Sequence, residues 1–313
     1  MIAFGPVPSR RLGKSLGINN IPPKTCTYSC VYCQLGRTPT MSITRKAFYT
    51  PKEILAAVTK KVHESRQRNE HIDYLTFVAD GEPTLDNNLG EEIELLKELG
   101  IKIAVVTNSS LLWDEKVRND LFKADWVSVK IDAIHEKIWR TIDRPHGYLQ
   151  IQDILKGIST FSEKFTGHLT TETMLIKTIN DTTEELKKIA DFISTLHTKK
   201  SYIAIPTRPP SENWVKPATE QIIAKAYQIF REKKIAVEYL IGYEGNAFAY
   251  TGNPEADLLS ITSVHPMKEE AITEFLSKAN SNWHLIESLI KEKKLVEIKY
   301  QGNKFYMRTI LKK

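Results

Sequence analysis

The sequence has 313 residues, 41% hydrophobic and 26% charged, with a formal net charge of +6, the profile of a soluble globular protein. No run approaches the ~18 apolar residues of a membrane span, and the opening MIAFGPVPSRR lacks an apolar signal core, so a cytoplasmic chain with no membrane partner is expected. The mild positive charge is compatible with nucleic acid or anionic small molecules and requires neither.

In chain order, Arg10 and Arg11 precede a β-like stretch, KSLGINNIP, that Pro22 and Pro23 end. The loop KTCTYSCVYCQLGRT follows. Next comes TPKEILAAVTKKVHESRQ, with Ile54, Leu55, Val58 and Val62 at helical spacing and Pro51 at a helix start. From there strands alternate with helices. IDYLTFVAD precedes a helix over Leu89–Leu99 closed by Gly100. KIAVVTN precedes one over Trp113–Phe122, and DWVSVKIDA one over Leu149–Phe161. LTTETMLIK precedes Thr183–Leu196, SYIAIP precedes Thr219–Glu232, and IAVEYLI reads as one more strand. Such alternation predicts right-handed βαβ units on a parallel sheet, here an α/β fold bent into a partial (β/α)6 TIM-like barrel over residues 1–250.

The last segment breaks the alternation. Pro266 reads as the start of a helix to Ser277, and Asn282 as the cap of a second to Lys293. LVEIKY and KFYMRTI then alternate around QGN, a hairpin signal. Two helices and a hairpin predict a small winged-helix-like domain over 258–313. From Pro266 onward ten Lys/Arg stand against six Asp/Glu, a balance of +4. A nucleic-acid surface, with Lys291, Lys293, Lys294 and Lys304 on phosphates, and a protein-contact or barrel-packing role are both consistent with that. Deletion after Asp257 is expected to leave the upstream site intact.

The chain's three cysteines, Cys26, Cys30 and Cys33, share one loop at C-x3-C-x2-C spacing. An odd, tight cluster is not a disulfide framework. Structural zinc takes four ligands, commonly as paired knuckles, and no histidine follows at knuckle spacing. A nucleophile needs only one thiol. Three thiolates on a four-iron cubane would leave one iron open to a non-protein ligand.

Active sites of parallel α/β folds lie at the C-terminal strand ends. There the sequence puts the cysteine loop, DGEPT (Asp80 to Thr84), TNSS (Thr107 to Ser110), Ser128, Lys130 and Asp132 on one face of a strand, Glu172, and PTRPP. Alone, Gly81 serves a turn, and Lys130 and Asp132 form an internal ion pair. Together these residues describe one mouth.

CTYSCVYC fits the C-x3-C-x-Φ-C signature of the radical S-adenosylmethionine (radical SAM) superfamily, with Tyr32 as the aromatic, and DGEP resembles its GGEP motif with Asp80 replacing the first glycine. Within it, FGPVPSRRLGKSLG, CVYCQLGRT, VADGEPTL, VKIDA and PTRPP resemble the branch that includes the tRNA wyosine-base synthases and many predicted iron–sulfur oxidoreductases. The resemblance implies a [4Fe–4S] cluster on Cys26, Cys30 and Cys33, and S-adenosylmethionine on the fourth iron, cleaved to a 5′-deoxyadenosyl radical. It implies that the Gly81–Glu82–Pro83 backbone accepts from the methionine amino group and that Tyr32 lies near the adenine. Asn108, Ser128 and Lys130 become candidates for the ribose and carboxylate, with a flavodoxin- or ferredoxin-type reductant and tRNA or another nucleic acid as partners. Wyosine-base synthases carry a second cluster, and this chain has no cysteines left for one; a ferredoxin insert of the glycyl-radical activase kind is equally disfavoured. The other class of function is an iron–sulfur redox-sensing, nucleic-acid-binding regulator, which would have no need of Gly81–Glu82–Pro83 or Lys130.

Overall fold

The computed structural model describes residues 2–242 and 245–309. The strands β1 (Ala3–Ser9) and β2 (Gly13–Ile18) pair antiparallel. From β2 onward each strand runs parallel to the next: β3 (Tyr74–Phe77), β4 (Lys102–Thr107), β5 (Trp126–Lys130), β6 (His168–Met174), β7 (Lys200–Ala204) and β8 (Val237–Leu240). Their spatial order is sequential, and the sheet is open between β8 and β1. The crossovers are α1 (Pro51–Gln67), α2 (Leu89–Leu96), α3 (Glu115–Leu121), α4 (Glu136–Ile142) with α5 (Ile151–Lys164), α6 (Thr183–Ser194) and α7 (Glu220–Glu232). This is the partial barrel that the alternation predicts, with one antiparallel strand added at its edge.

Helix starts follow local chemistry. Thr50 and Glu53 cap each other's backbone at α1, with Pro51 in the first turn, and Thr182 and Thr219 accept from the third backbone N–H beyond them at α6 and α7. Two elements escape the sequence pattern. The Gly5, Pro6 and Pro8 of β1 read as breakers, yet an edge strand with a bulge between Phe4 and Val7 tolerates them. The seven-residue α4 is too short for helical periodicity to register.

The sheet's two faces differ. Leu16, Leu75, Phe77, Ile103, Val105, Val127, Val129 and Ile203 point to the helices and join the main core. The opposite, concave face carries Leu12, Trp126, Tyr202 and Leu240 among polar groups such as Ser15 and Thr76, whose hydroxyls lie 2.6 Å apart. Alternation along each strand sends apolar weight outward and the chemistry inward.

Beyond β8 come α8 (Pro254–Val264), β9 (Met267–Lys268), α9 (Glu269–Lys278), α10 (His284–Lys291), β10 (Leu295–Tyr300) and β11 (Asn303–Arg308), the strands ordered β10-β11-β9. The expected hairpin is present, turning through Gln301 and Gly302 at φ 48° and 75°. The helix expected from Pro266 starts instead at Glu269, because Met267 and Lys268 pair with Tyr306 and Phe305. Asn282 accepts from the His284 N–H, and α10 begins at His284.

This unit shares a core with the opposite end of the chain. Phe4 and Val7 of β1 pack with Phe248, Leu258, Ile261, Phe275 and Tyr306. Lys61 of α1 bonds Asp257 at 2.8 Å, and Glu70 takes both Lys14 and Lys278. Removing everything after Asp257 would take away Leu258, Ile261, Phe275 and Tyr306 from this core and leave Phe248.

One buried group gives a pH signature. Glu92 in α2 is 0% exposed, and its carboxyl lies beside the Asn20 side chain without a hydrogen bond of normal geometry. Burial, helped by Asp86, pushes its carboxyl from 4.5 up to about 9. The folded state therefore holds a proton that the unfolded chain releases, and stability falls as pH rises from about 4.5 through about 9. Glu92→Gln removes that loss. By calorimetry the variant should match the parent near pH 5 and melt a few degrees higher at pH 9.

Candidate active site

The strand ends meet around a cavity of about 310 Å³. Cys26, Cys30 and Cys33, all partly buried, line one side, with Gly81 from the loop after β3 and Asn108 from the loop after β4. Lys130 of β5, Glu172 and Met174 of β6, Pro206 to Arg208 beyond β7, and Arg10 and Arg11 line the other.

The cysteine loop is fixed by its backbone. Cys33 N–H donates to the Cys30 carbonyl and Gly36 N–H to that of Cys33, both at 3.1 Å, and Ser42 N–H reaches the Cys26 carbonyl. Asn108 Nδ2 lies 3.6 Å from Cys26 Sγ and 2.8 Å from Thr27 Oγ1. Lys24 Nζ stands 3.8 Å from Cys33 Sγ. Burial pushes the Cys26 thiol up to about 12 and raises that of Cys30 well above its ordinary value. Thiolates form here only against strong positive charge, as iron supplies. Among the described residues no three His, Cys, Asp or Glu side chains could hold a metal ion; the thiols instead share a cavity wall. Three soft donors around one void fit a three-thiolate [4Fe–4S] cluster.

Of the Gly81–Glu82–Pro83 motif, only Gly81 lines the cavity. A Cβ there would fall 1.8 Å from the Thr25 carbonyl oxygen, so only glycine allows the two loops to touch. Glu82 turns inward and is 1% exposed. Its carboxylate accepts from Thr84 N–H and hydroxyl, Thr107 hydroxyl and Asn108 N–H. The Pro83 carbonyl accepts from Asn20 Nδ2. Both residues shape the loop from behind.

Lys130 pairs with Glu172 at 2.9 Å, not with Asp132. The two are register neighbours on β5 and β6, and Arg11 bonds the second Glu172 oxygen. Burial opposes the Lys130 charge, yet Glu172 and Asp132 outweigh it and hold the ammonium above its ordinary value. Burial likewise opposes Glu172, and Lys130 and Arg11 bring it down to about 2. Lys130 Nζ also stands 5.0 Å from the centre of the Tyr32 ring. Asp132 accepts instead from Tyr32 hydroxyl and Met174 N–H. Ser128 is buried one layer down the strand and does not line the cavity. Asp143, which accepts from Tyr32 hydroxyl at 3.3 Å, and Asn19, which anchors the Asp80 N–H, carry no sequence signal. Arg208, bonded to Gln34 and to His265 of the C-terminal unit, sits in the PTRPP stretch.

The chain belongs to the radical SAM superfamily: residues 20–193 match its family model. It is an enzyme of that class. The UPF0026 protein MJ1312 of Methanocaldococcus jannaschii is 50% identical over 311 residues, covering 99% of this chain and 96% of that protein. A UPF0026 protein of Helicobacter pylori strain J99 is 33% identical over 308 residues, 97% of each chain. A solved radical SAM methyltransferase from Sphaerobacter thermophilus shares the fold, with a TM-score of 0.56 at 16% identity over 72% of this chain and 66% of that one.

Two substitutions separate the pinned loop from the charged wall. Gly81→Ala should lose most iron after anaerobic reconstitution, because the loop must back away from Thr25; bound iron per chain reads this. Lys130→Met should keep its iron but lose about 3 kcal/mol in denaturant unfolding, since Glu172 is then left buried with one cation fewer.

Proposed function

We propose that this enzyme reductively cleaves S-adenosylmethionine at a single [4Fe–4S] cluster on Cys26, Cys30 and Cys33, and that it uses the 5′-deoxyadenosyl radical to take hydrogen from its substrate. The observation that carries this reading is the convergence of all three thiols with Gly81 and Asn108 on one cavity at the strand ends. When bound, the cluster supplies the electron that breaks the sulfonium C–S bond, at the expense of a flavodoxin- or ferredoxin-type donor.

The chain's own residues bind, orient and shield. Lys130, held charged by Glu172, attracts the carboxylate of the cosubstrate. Tyr32, fixed through its hydroxyl to Asp132, offers a ring face near the adenine. Asn108 presents its amide to the ribose, a role that Ser128 is too deep to share. Gly81, held against Thr25, sets the stretch of backbone that borders the cosubstrate.

For the C-terminal unit, the order helix–strand–helix–helix–strand–strand supports the winged-helix-like reading. A nucleic-acid substrate loses part of its support here. Lys294 pairs with Glu255 and Glu292, and Lys304 lies beside Glu269 and Glu297, so two of the four lysines expected on phosphates already face carboxylates. The reading as a redox-sensing regulator has no support in the fold or the relatives.

Anaerobic reconstitution followed by dithionite and S-adenosylmethionine tests the proposal. About four irons per chain and release of 5′-deoxyadenosine are expected, and Cys26→Ala, Cys30→Ala and Cys33→Ala should abolish both. Stoichiometric zinc without iron would overturn it.

A further inference from the structure

Three segments pack against the cysteine loop. From the first, the Asp143 carbonyl accepts from Ser29 N–H at 3.1 Å, the Ile142 carbonyl accepts from Val31 N–H at 2.9 Å, and His146 N–H donates to the Thr27 carbonyl at 2.9 Å. From the second, the Ser211 hydroxyl is shared between the carbonyls of Cys30 and Val31 at 3.0 and 2.9 Å, and Glu212 N–H also reaches Val31. The third joins through apolar contact: Ile176 shares a small core with Val31, Ile142 and Val215. Next to it Lys177 N–H donates to the Lys216 carbonyl at 2.9 Å.

The exposed side chains of this face are cationic or aromatic. Arg37 and Arg144 share the single carboxylate of Glu212, so the three together keep a net positive charge. Lys177 and Lys216 are exposed, and neither is in an ion pair with any described residue. Tyr148 is 82% exposed and Trp214 49%. None of these six residues lines the cavity. That separates two kinds of partner. A substrate that gives up hydrogen must enter the cavity, whereas a reductant needs only a short approach to the cluster. Ser211, bonded to the backbone of a cluster cysteine, lies three residues from Trp214.

We propose that this face docks an acidic one-electron carrier protein, flavin- or iron–sulfur-based. The inference rests on the proposed cluster at Cys26, Cys30 and Cys33. In the docked pair the carrier loses one electron and the cluster gains it; no atom is transferred. Opposite charge steers such partners together and sets their register. Exposed aromatic rings add contact area at little conformational cost. Redox encounters are small interfaces, below about 1,200 Å², which a face of this composition can supply.

Stopped-flow bleaching of the reconstituted cluster tests this at low salt, with flavodoxin hydroquinone, reduced ferredoxin and dithionite as separate reductants. Lys177→Glu combined with Lys216→Glu should slow reduction by the carrier proteins roughly tenfold. Iron content should not change, and the dithionite rate should stay within about twofold of the parent's. Added salt should slow the parent's reaction with the carriers and narrow its lead over the variant. Carrier rates that match the parent's overturn the assignment; if bulk tRNA binding falls instead, the face belongs to nucleic acid. An equal loss with dithionite also overturns it, since that marks damage to the cysteine loop. So does a parent that dithionite reduces and neither carrier does. A parent that takes up no iron, or whose cluster dithionite cannot reduce, would instead sink the proposed function, so the two failures are distinguishable.

Discussion

The buried carboxylate of Glu82 ties the site together. Its two oxygens accept from four donors on the loops after β3 and β4, and Asn108, fixed by one of those bonds, reaches on to Thr27 and Cys26. Three strand-end loops are thus set by one ion that never touches the cavity. Burial raises its pKa despite all four bonds, so part of the site's stability depends on complete satisfaction of this group. A network of this kind holds well when complete and poorly when one member is missing.

The opposite wall follows another rule. Lys130 and Glu172 meet because β5 and β6 are in register, and Arg11 arrives from the antiparallel hairpin to close the triad. Placing three charges on a concave face that also holds Trp126 and Tyr202 costs solvation, which the pairing offsets. The arrangement leaves a wall with more cations than carboxylates, suited to a ligand with an anionic end.

Much of this was legible in the sequence. The apolar runs of β2 to β8 and the intervening helical periodicity gave the order of the barrel, and the cysteine spacing with Gly81, Asn108 and Lys130 gave the mouth. Other parts were hidden for physical reasons. Alternation fixes which face a residue takes but not its depth, so Ser128 and Lys130 looked equivalent when only the latter reaches the cavity. Asp132, two residues along the strand, is about 6.6 Å from Lys130, whereas a register neighbour on the next strand is about 4.8 Å away. Register is a tertiary fact, and the ion pair went to Glu172. Glu82 belonged to a recognised motif, yet nothing local announces that its side chain turns inward.

The shared core of β1 and the C-terminal unit carries a consequence for how the chain is made. Phe4 and Val7 are made long before several of the groups that cover them, Phe275 and Tyr306 among them. The barrel's edge strand therefore stays incompletely covered through most of synthesis, although the cysteine loop and the strands around it are already available to fold. Long-range closure of this kind is slow and exposes apolar surface while it waits. The oxygen-sensitive chemistry expected at the mouth thus belongs to a sheet whose edge strand waits for the C-terminal unit before it is covered.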